Sequence, residues 1–189
     1  MTFLEEPATT PPVQAMYDDD LESNGYVMNV SRLWAHQPEA NDALFALIGL
    51  VGRTGGLSLR ERGILVAACA STLGDSYCSL AWGAKLAGAA DPDLAAGVLT
   101  GSDAGLSGRE QAMATWARRV TADPNGTTAA DVESLRAAGL DDATIFAVTV
   151  FVALRMAFST VNDALGAVPD SELRDTAPPA VVDAVTWGR

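Results

Sequence analysis

Residues Ser58–Gly88, SLRERGILVAACASTLGDSYCSLAWGAKLAG, decide the fold and hold both cysteines of the chain, Cys69 and Cys78. Ser58 followed by Glu61 forms a capping box: the serine hydroxyl accepts from the third amide of a helix while the glutamate reaches back to the cap. Such a start contributes about 1 kcal/mol. The run ILVAACASTL that follows is apolar on nearly every side, which predicts a buried helix rather than an amphipathic one. It stops at Gly74, and Asp75 is placed to cap the next helix, so Cys78 falls in that helix's first turn. Any thiol chemistry of this chain belongs here.

Toward the C-terminus, Asp91-Pro92 opens a further helix, with proline where the missing N–H costs nothing. The segment Gly105-Leu106-Ser107-Gly108-Arg109-Glu110 echoes Gly56-Leu57-Ser58-Leu59-Arg60-Glu61, and the echo predicts a duplicated helical-hairpin unit. Asp123-Pro124-Asn125-Gly126 breaks the helix in between, Thr128 with Asp131 caps another, and Gly139 ends it. A last long helix runs from Asp141 to about Leu165. Its IFAVTVFVALRMAF stretch is apolar almost all round, so a subunit interface is expected to cover part of it, and a homo-oligomer with it. Residues 171–189 read as a C-terminal tail with an isolated Trp187.

Toward the N-terminus, residues 1–13 carry three prolines and two acids and read as an extended arm. Asn24-Gly25 is a turn, after which Val27, Val30, Leu33 and Trp34 recur at helical spacing, and Pro38 opens a helix ending at Thr54-Gly55-Gly56. His36, at a helix end, reads as a surface or capping residue. The whole is an all-α chain with one domain over residues 14–170, and no strand pattern competes.

Composition narrows the function classes. The chain has 189 residues and a formal charge of −12, from 12 basic and 24 acidic side chains, which disfavours nucleic acid and anionic membranes as partners. No signal peptide is apparent, and two cysteines do not make a disulfide scaffold, so a cytoplasmic location is expected. One histidine and two widely spaced cysteines supply no metal-ligand set, and no cofactor is implied.

The segments GYVMNVSRLWAHQPE, LSLRERGILVAACASTLGDSYCSLAWGAKLAG, LSGRE and TTAADVESLRAAGLDDATIFAVTVFVALRMAFSTVNDALGAVPD, in this order over about Met16 to Asp170, resemble the carboxymuconolactone decarboxylase and alkylhydroperoxidase (AhpD-like) superfamily. The resemblance implies the AhpD-like helical fold. It also implies, for redox-active members, a relay glutamate, a CxxC pair and a histidine four residues beyond the second cysteine. Those positions hold Gly63, Asp75, Cys78 and Trp82, and the asparagine-arginine pair common before VxDALG is Ser159-Thr160. One of the four survives.

Without a resolving thiol beside Cys78, an ordinary dithiol peroxidase cycle is not expected, although Cys78 remains the candidate catalytic residue. No His or Lys stands close enough in sequence to activate it, Lys85 being two turns away. Trp82 in place of a histidine turns the pocket from acid–base work toward a small apolar or aromatic metabolite, with Tyr77, Asp75, Tyr26 and Trp34 as further lining residues. Three readings follow: a peroxidase-like protein, a non-redox lyase, isomerase or cyclase, and a non-catalytic binding or scaffold protein.

Overall fold

A helix apolar on all sides is stable only where neighbours surround it, and the chain supplies them from both directions. In a computed structural model describing residues 2–189, eleven α-helices follow one another: α1 (Pro11–Asn24), α2 (Asn29–Trp34), α3 (Pro38–Thr54), α4 (Leu59–Leu73), α5 (Ser76–Ala89), α6 (Pro92–Leu99), α7 (Gly108–Ala122), α8 (Ala129–Ala137), α9 (Asp142–Ala164), α10 (Ser171–Thr176) and α11 (Pro179–Ala184). A 3-10 turn at Pro124–Gly126 separates α7 from α8, and no strand occurs among the described residues. Helix α4 sits at the centre, every residue from Gly63 to Ala70 buried, with α5, α6, α7 and α9 packed against it.

The caps anticipated from sequence form. Ser58 Oγ accepts from the Glu61 amide at 3.1 Å while a Glu61 carboxylate oxygen accepts from the Ser58 amide at 2.9 Å. The same exchange links Ser107 with Glu110 and Thr128 with Asp131. The two echoing segments face each other: Arg60 donates to Glu110 at 2.6 Å and Arg109 to Glu61 at 2.9 Å. Each capping glutamate is therefore held by the other segment's arginine, which fixes the start of α4 against the start of α7.

Two boundaries differ from the sequence reading. The N-terminal arm is extended only as far as Thr10, because Pro11 occupies the first helical position, where proline needs no hydrogen-bond partner. Residues 171–189 are no appendage: α11 packs on α6 and α5, Val181 is fully buried, and Ala177 and Val185, each four residues from it, are buried too. The spacing is helical but the segment is too short and too rich in proline for the pattern to stand out. Trp187 packs against the core, and the Arg189 backbone closes on the Ser76 hydroxyl at 2.9 and 3.2 Å.

Helix α9 is covered by α3, α4, α7 and α8, and Phe146 near its start stays 72% exposed. It is long and apolar enough by composition to cross a membrane, yet it buries Arg155 and Asn162 within the core.

Candidate functional site

Gly74 closes α4 with a φ of +77°, a left-handed conformation that glycine adopts without steric cost, and turns the chain directly into α5. Asp75 then caps α5, its carboxylate accepting from the Cys78 amide at 2.9 Å. This holds Cys78 at the third position of α5, 2% exposed. From α9, the guanidinium of Arg155 reaches the sulfur, Nη2 lying 3.6 Å from Sγ.

The electrostatics around the sulfur oppose each other. Burial, then the Asp75 carboxylate, push the Cys78 thiol well above the usual range, while Arg155 and the Ser159 hydroxyl pull it down and do not prevail. The sulfur is a protonated thiol at neutral pH and a poor nucleophile as it stands. The cation that approaches Cys78 is neither a histidine nor a lysine but an arginine 77 positions away on α9, brought in by packing. An arginine contributes field without accepting a proton.

Arg155 is 3% exposed and stacks its guanidinium 5.2 Å from the Trp82 ring centre and 5.3 Å from that of Phe158. Phe158 stacks on Trp34 at 5.3 Å and meets Phe45 edge-on at 5.1 Å. Trp34 is oriented by its indole N–H, which donates to the buried Asn162 at 2.8 Å. These rings, with Met16 and Met28, wall a cavity of about 400 Å³ between α1, α2, α3, α5 and α9, with Cys78 in its lining. Lys85 lines it as well, its ammonium 5.0 Å from the Trp82 ring centre. The surrounding desolvation and Arg155 push Lys85 below the usual ammonium range, an effect that water screens because the residue is exposed.

Of the residues named from sequence, Cys78, Trp82, Tyr77 and Trp34 lie on the cavity wall. Tyr77 turns its hydroxyl away to donate to Asp170, which also accepts from the Asn29 amide at 2.9 Å and so ties α5, α2 and α10 together. Asp75 is fully buried behind Cys78 as a cap and is not on the wall. Tyr26 is likewise outside it, half-buried near Asp170, and burial followed by that carboxylate raise its phenol to about 12.

Cys69 lies buried on α4, both cysteines are free, and its thiol is pushed up by burial with Thr121 of α7 beside it. Gly63 packs closely: an added Cβ would stand 3.1 Å from Leu86 of α5, which would have to give by a few tenths of an ångström. Among the described residues no group of three His, Cys, Asp or Glu side chains is placed to hold a metal ion.

Sequence reasoning missed Arg155, Phe158, Phe45 and the two methionines, and set Lys85 aside. Arg155 carried a readable signal, a lone charge inside the apolar run FVALRMAF.

No family model and no curated protein sequence matches the chain. Solved structures do. A peroxidase-related protein from Ralstonia eutropha, described as an alkylhydroperoxidase AhpD core, aligns with a TM-score of 0.81 at 25% identity, over 91% of this chain and 94% of its own. A peroxidase-related protein from Silicibacter aligns at 0.78 and 25% identity, over 91% and 93%. The debrominase Bmp8, in complex with 2,3,4-tribromopyrrole, shares the fold at a TM-score of 0.74 and 12% identity, over 92% and 95%. With an all-helical architecture that aligns across nine-tenths of both chains, the protein has the AhpD-like helical fold.

Proposed function

We propose that this AhpD-like protein takes a small apolar or aromatic molecule into the cavity beside Cys78 and acts on it by chemistry other than a dithiol–disulfide cycle. The observation that carries this reading is the cavity itself: about 400 Å³, within the range of small-molecule sites, with Trp34, Trp82, Phe45 and Phe158 as walls. A dithiol cycle needs a thiolate and a second thiol within reach. Cys78 is held protonated by burial and Asp75, and Asp75 itself stands where the resemblance puts the first thiol. Where the resemblance puts a relay glutamate and a histidine, this chain has Gly63 packed on Leu86 and an indole. Bmp8, of the same fold, holds a small halogenated heterocycle, and a ligand of that size suits this cavity.

The test has two arms. Peroxide consumption with a dithiol reductant, in the native protein and in Cys78→Ser, is expected to be indistinguishable from the uncatalysed rate in both. A panel of one- and two-ring aromatic compounds is expected to quench tryptophan fluorescence saturably, with Trp34→Phe and Trp82→Phe together removing the response of the cavity. Peroxide turnover lost in Cys78→Ser would overturn the reading, as would the absence of any saturable ligand.

A further inference from the structure

We infer that the cavity selects a small monocarboxylate with an apolar or aromatic body, and that Arg155 receives the carboxylate. This rests on the cavity being a ligand site and specifies what it takes.

The argument starts from an unanswered charge. Arg155 is 3% exposed, lines the cavity, and joins no ion pair among the described residues. Its Nε has no hydrogen-bond partner, and Nη2 meets only the Cys78 sulfur at 3.6 Å, a weak acceptor. A guanidinium does not escape burial by losing its proton, and a buried unpaired charge is among the most destabilising features a core can hold. The Trp82 and Phe158 rings offset only part of that. Asp75, the carboxylate nearest the thiol, is committed to capping α5 through one oxygen, while its other oxygen is buried without a partner. The protein therefore presents, on the wall of an aromatic cavity, a guanidinium whose one hydrogen-bond partner is a sulfur, and its Nη1–Nη2 edge matches a carboxylate in bidentate geometry.

The remaining charges around the cavity narrow the class. Lys85 adds a second cation on the α5 side, beside Trp82. Asp19 and Asp20 of α1 and Asp42 of α3 line the other side, Asp19 and Asp42 exposed and Asp20 accepting from the Met28 amide at 2.8 Å. Three acids there disfavour a dianion such as a phosphate monoester. A single negative charge carried in on an apolar body meets the guanidinium in a desolvated wall, where the attraction is strongest, and leaves the acids in water, where it is screened.

The experiment compares benzoate and cinnamate with benzamide and cinnamamide, the uncharged isosteres, on the full chain at constant ionic strength, by tryptophan fluorescence and calorimetry. The carboxylates are expected to bind at least tenfold more tightly than the amides. Arg155→Met is expected to abolish that preference, and Lys85→Gln to reduce it a few-fold. If Arg155→Met does not fold, Arg155→Lys, which keeps the charge without the fork, is expected to retain a weakened preference. Equal binding of acids and amides by the native protein overturns this inference and leaves the aromatic site standing. If neither set binds, the ligand-site reading falls and this inference with it.

Discussion

A tight contact behind the site joins α5 to the C-terminal helix, and it predicts a reversal of sign. An added Cβ at Gly83 would stand 2.7 Å from Val181 Cγ1 and 2.9 Å from Leu99 Cδ1. Gly83→Ala therefore overpacks a closed interface, a change that costs about 1–3 kcal/mol, against a gain of about 1 kcal/mol in helix propensity. Val181→Ala removes two methyls from a fully buried side chain, at about 0.8 kcal/mol each plus the cavity left behind, or about 2–3 kcal/mol in total. In the double variant the new methyl occupies the space those methyls vacate, the propensity gain is retained, and only Leu99, the flexible end of a side chain, must shift.

Gly83→Ala should thus destabilise the native protein and stabilise the Val181→Ala variant, with a coupling of about 1–2 kcal/mol, well beyond the few tenths that independent sites show. Urea unfolding of the four proteins reads this directly. Because α5 also carries Cys78 and Trp82, Val181→Ala should speed alkylation of Cys78, and the double variant should restore most of the protection. If Gly83→Ala has the same effect in both backgrounds, or Val181→Ala is neutral, then α11 is not part of the core and the packing argument fails.

Other consequences concern charge. Asp75→Asn keeps a capping side chain but removes one of the influences raising the Cys78 thiol, so iodoacetamide should label Cys78 several-fold faster at pH 8, and an unchanged rate would remove Asp75 from the account. Asp163 is raised to about 6, by burial first and by Asp75 next, from an ordinary 3.8. Between those values the folded state holds a proton that the unfolded state lacks, so this group's contribution falls as pH rises from about 4 to about 6. Asp163→Asn should accordingly be more stable than the native protein at pH 7.5 and no more stable at pH 4. Glu110 is lowered, chiefly by its hydrogen bond to Arg60, so its contribution is full above the ordinary carboxylate range and lost as pH falls through the folded value. Glu110→Gln should cost about 1 kcal/mol at pH 7 and progressively less as pH falls below the ordinary carboxylate range, measured by thermal unfolding.

What could be read in the sequence was whatever is local. Capping boxes, left-handed glycines and N-terminal prolines each signal through three or four adjacent residues, which is why the ends of α4, α5, α7 and α8 fall where their residues put them. The place of α11 was not local. Val181 fits against Gly83, nearly a hundred positions earlier, and nothing in AVVDAV distinguishes a packed turn of helix from a loose end. Similarly, the reciprocal pairing of Arg60 with Glu110 and Arg109 with Glu61 was hinted at by the echo but needed α4 and α7 side by side to be seen.

The site divides along the same line, and the division bears on its chemistry. Asp75, Cys78 and Trp82 share about two turns of one helix and could be judged together. Asp75 stands where the resemblance puts the first thiol, Cys69 is free on α4, and the cation at the sulfur is an arginine. The helix by itself discloses that the residue standing for the first thiol works against the second. Asp75 caps α5 and, in doing so, places a carboxylate where it disfavours the Cys78 thiolate. Arg155 opposes that effect without overcoming it, so a guanidinium is left beside a neutral sulfur and between aromatic rings. A cation whose neighbour carries no charge keeps its field for whatever enters the cavity. On this view the electrostatic centre of the pocket has passed from the sulfur on α5 to the guanidinium on α9, and selectivity for a ligand's charge follows from the same contacts that keep the thiol protonated.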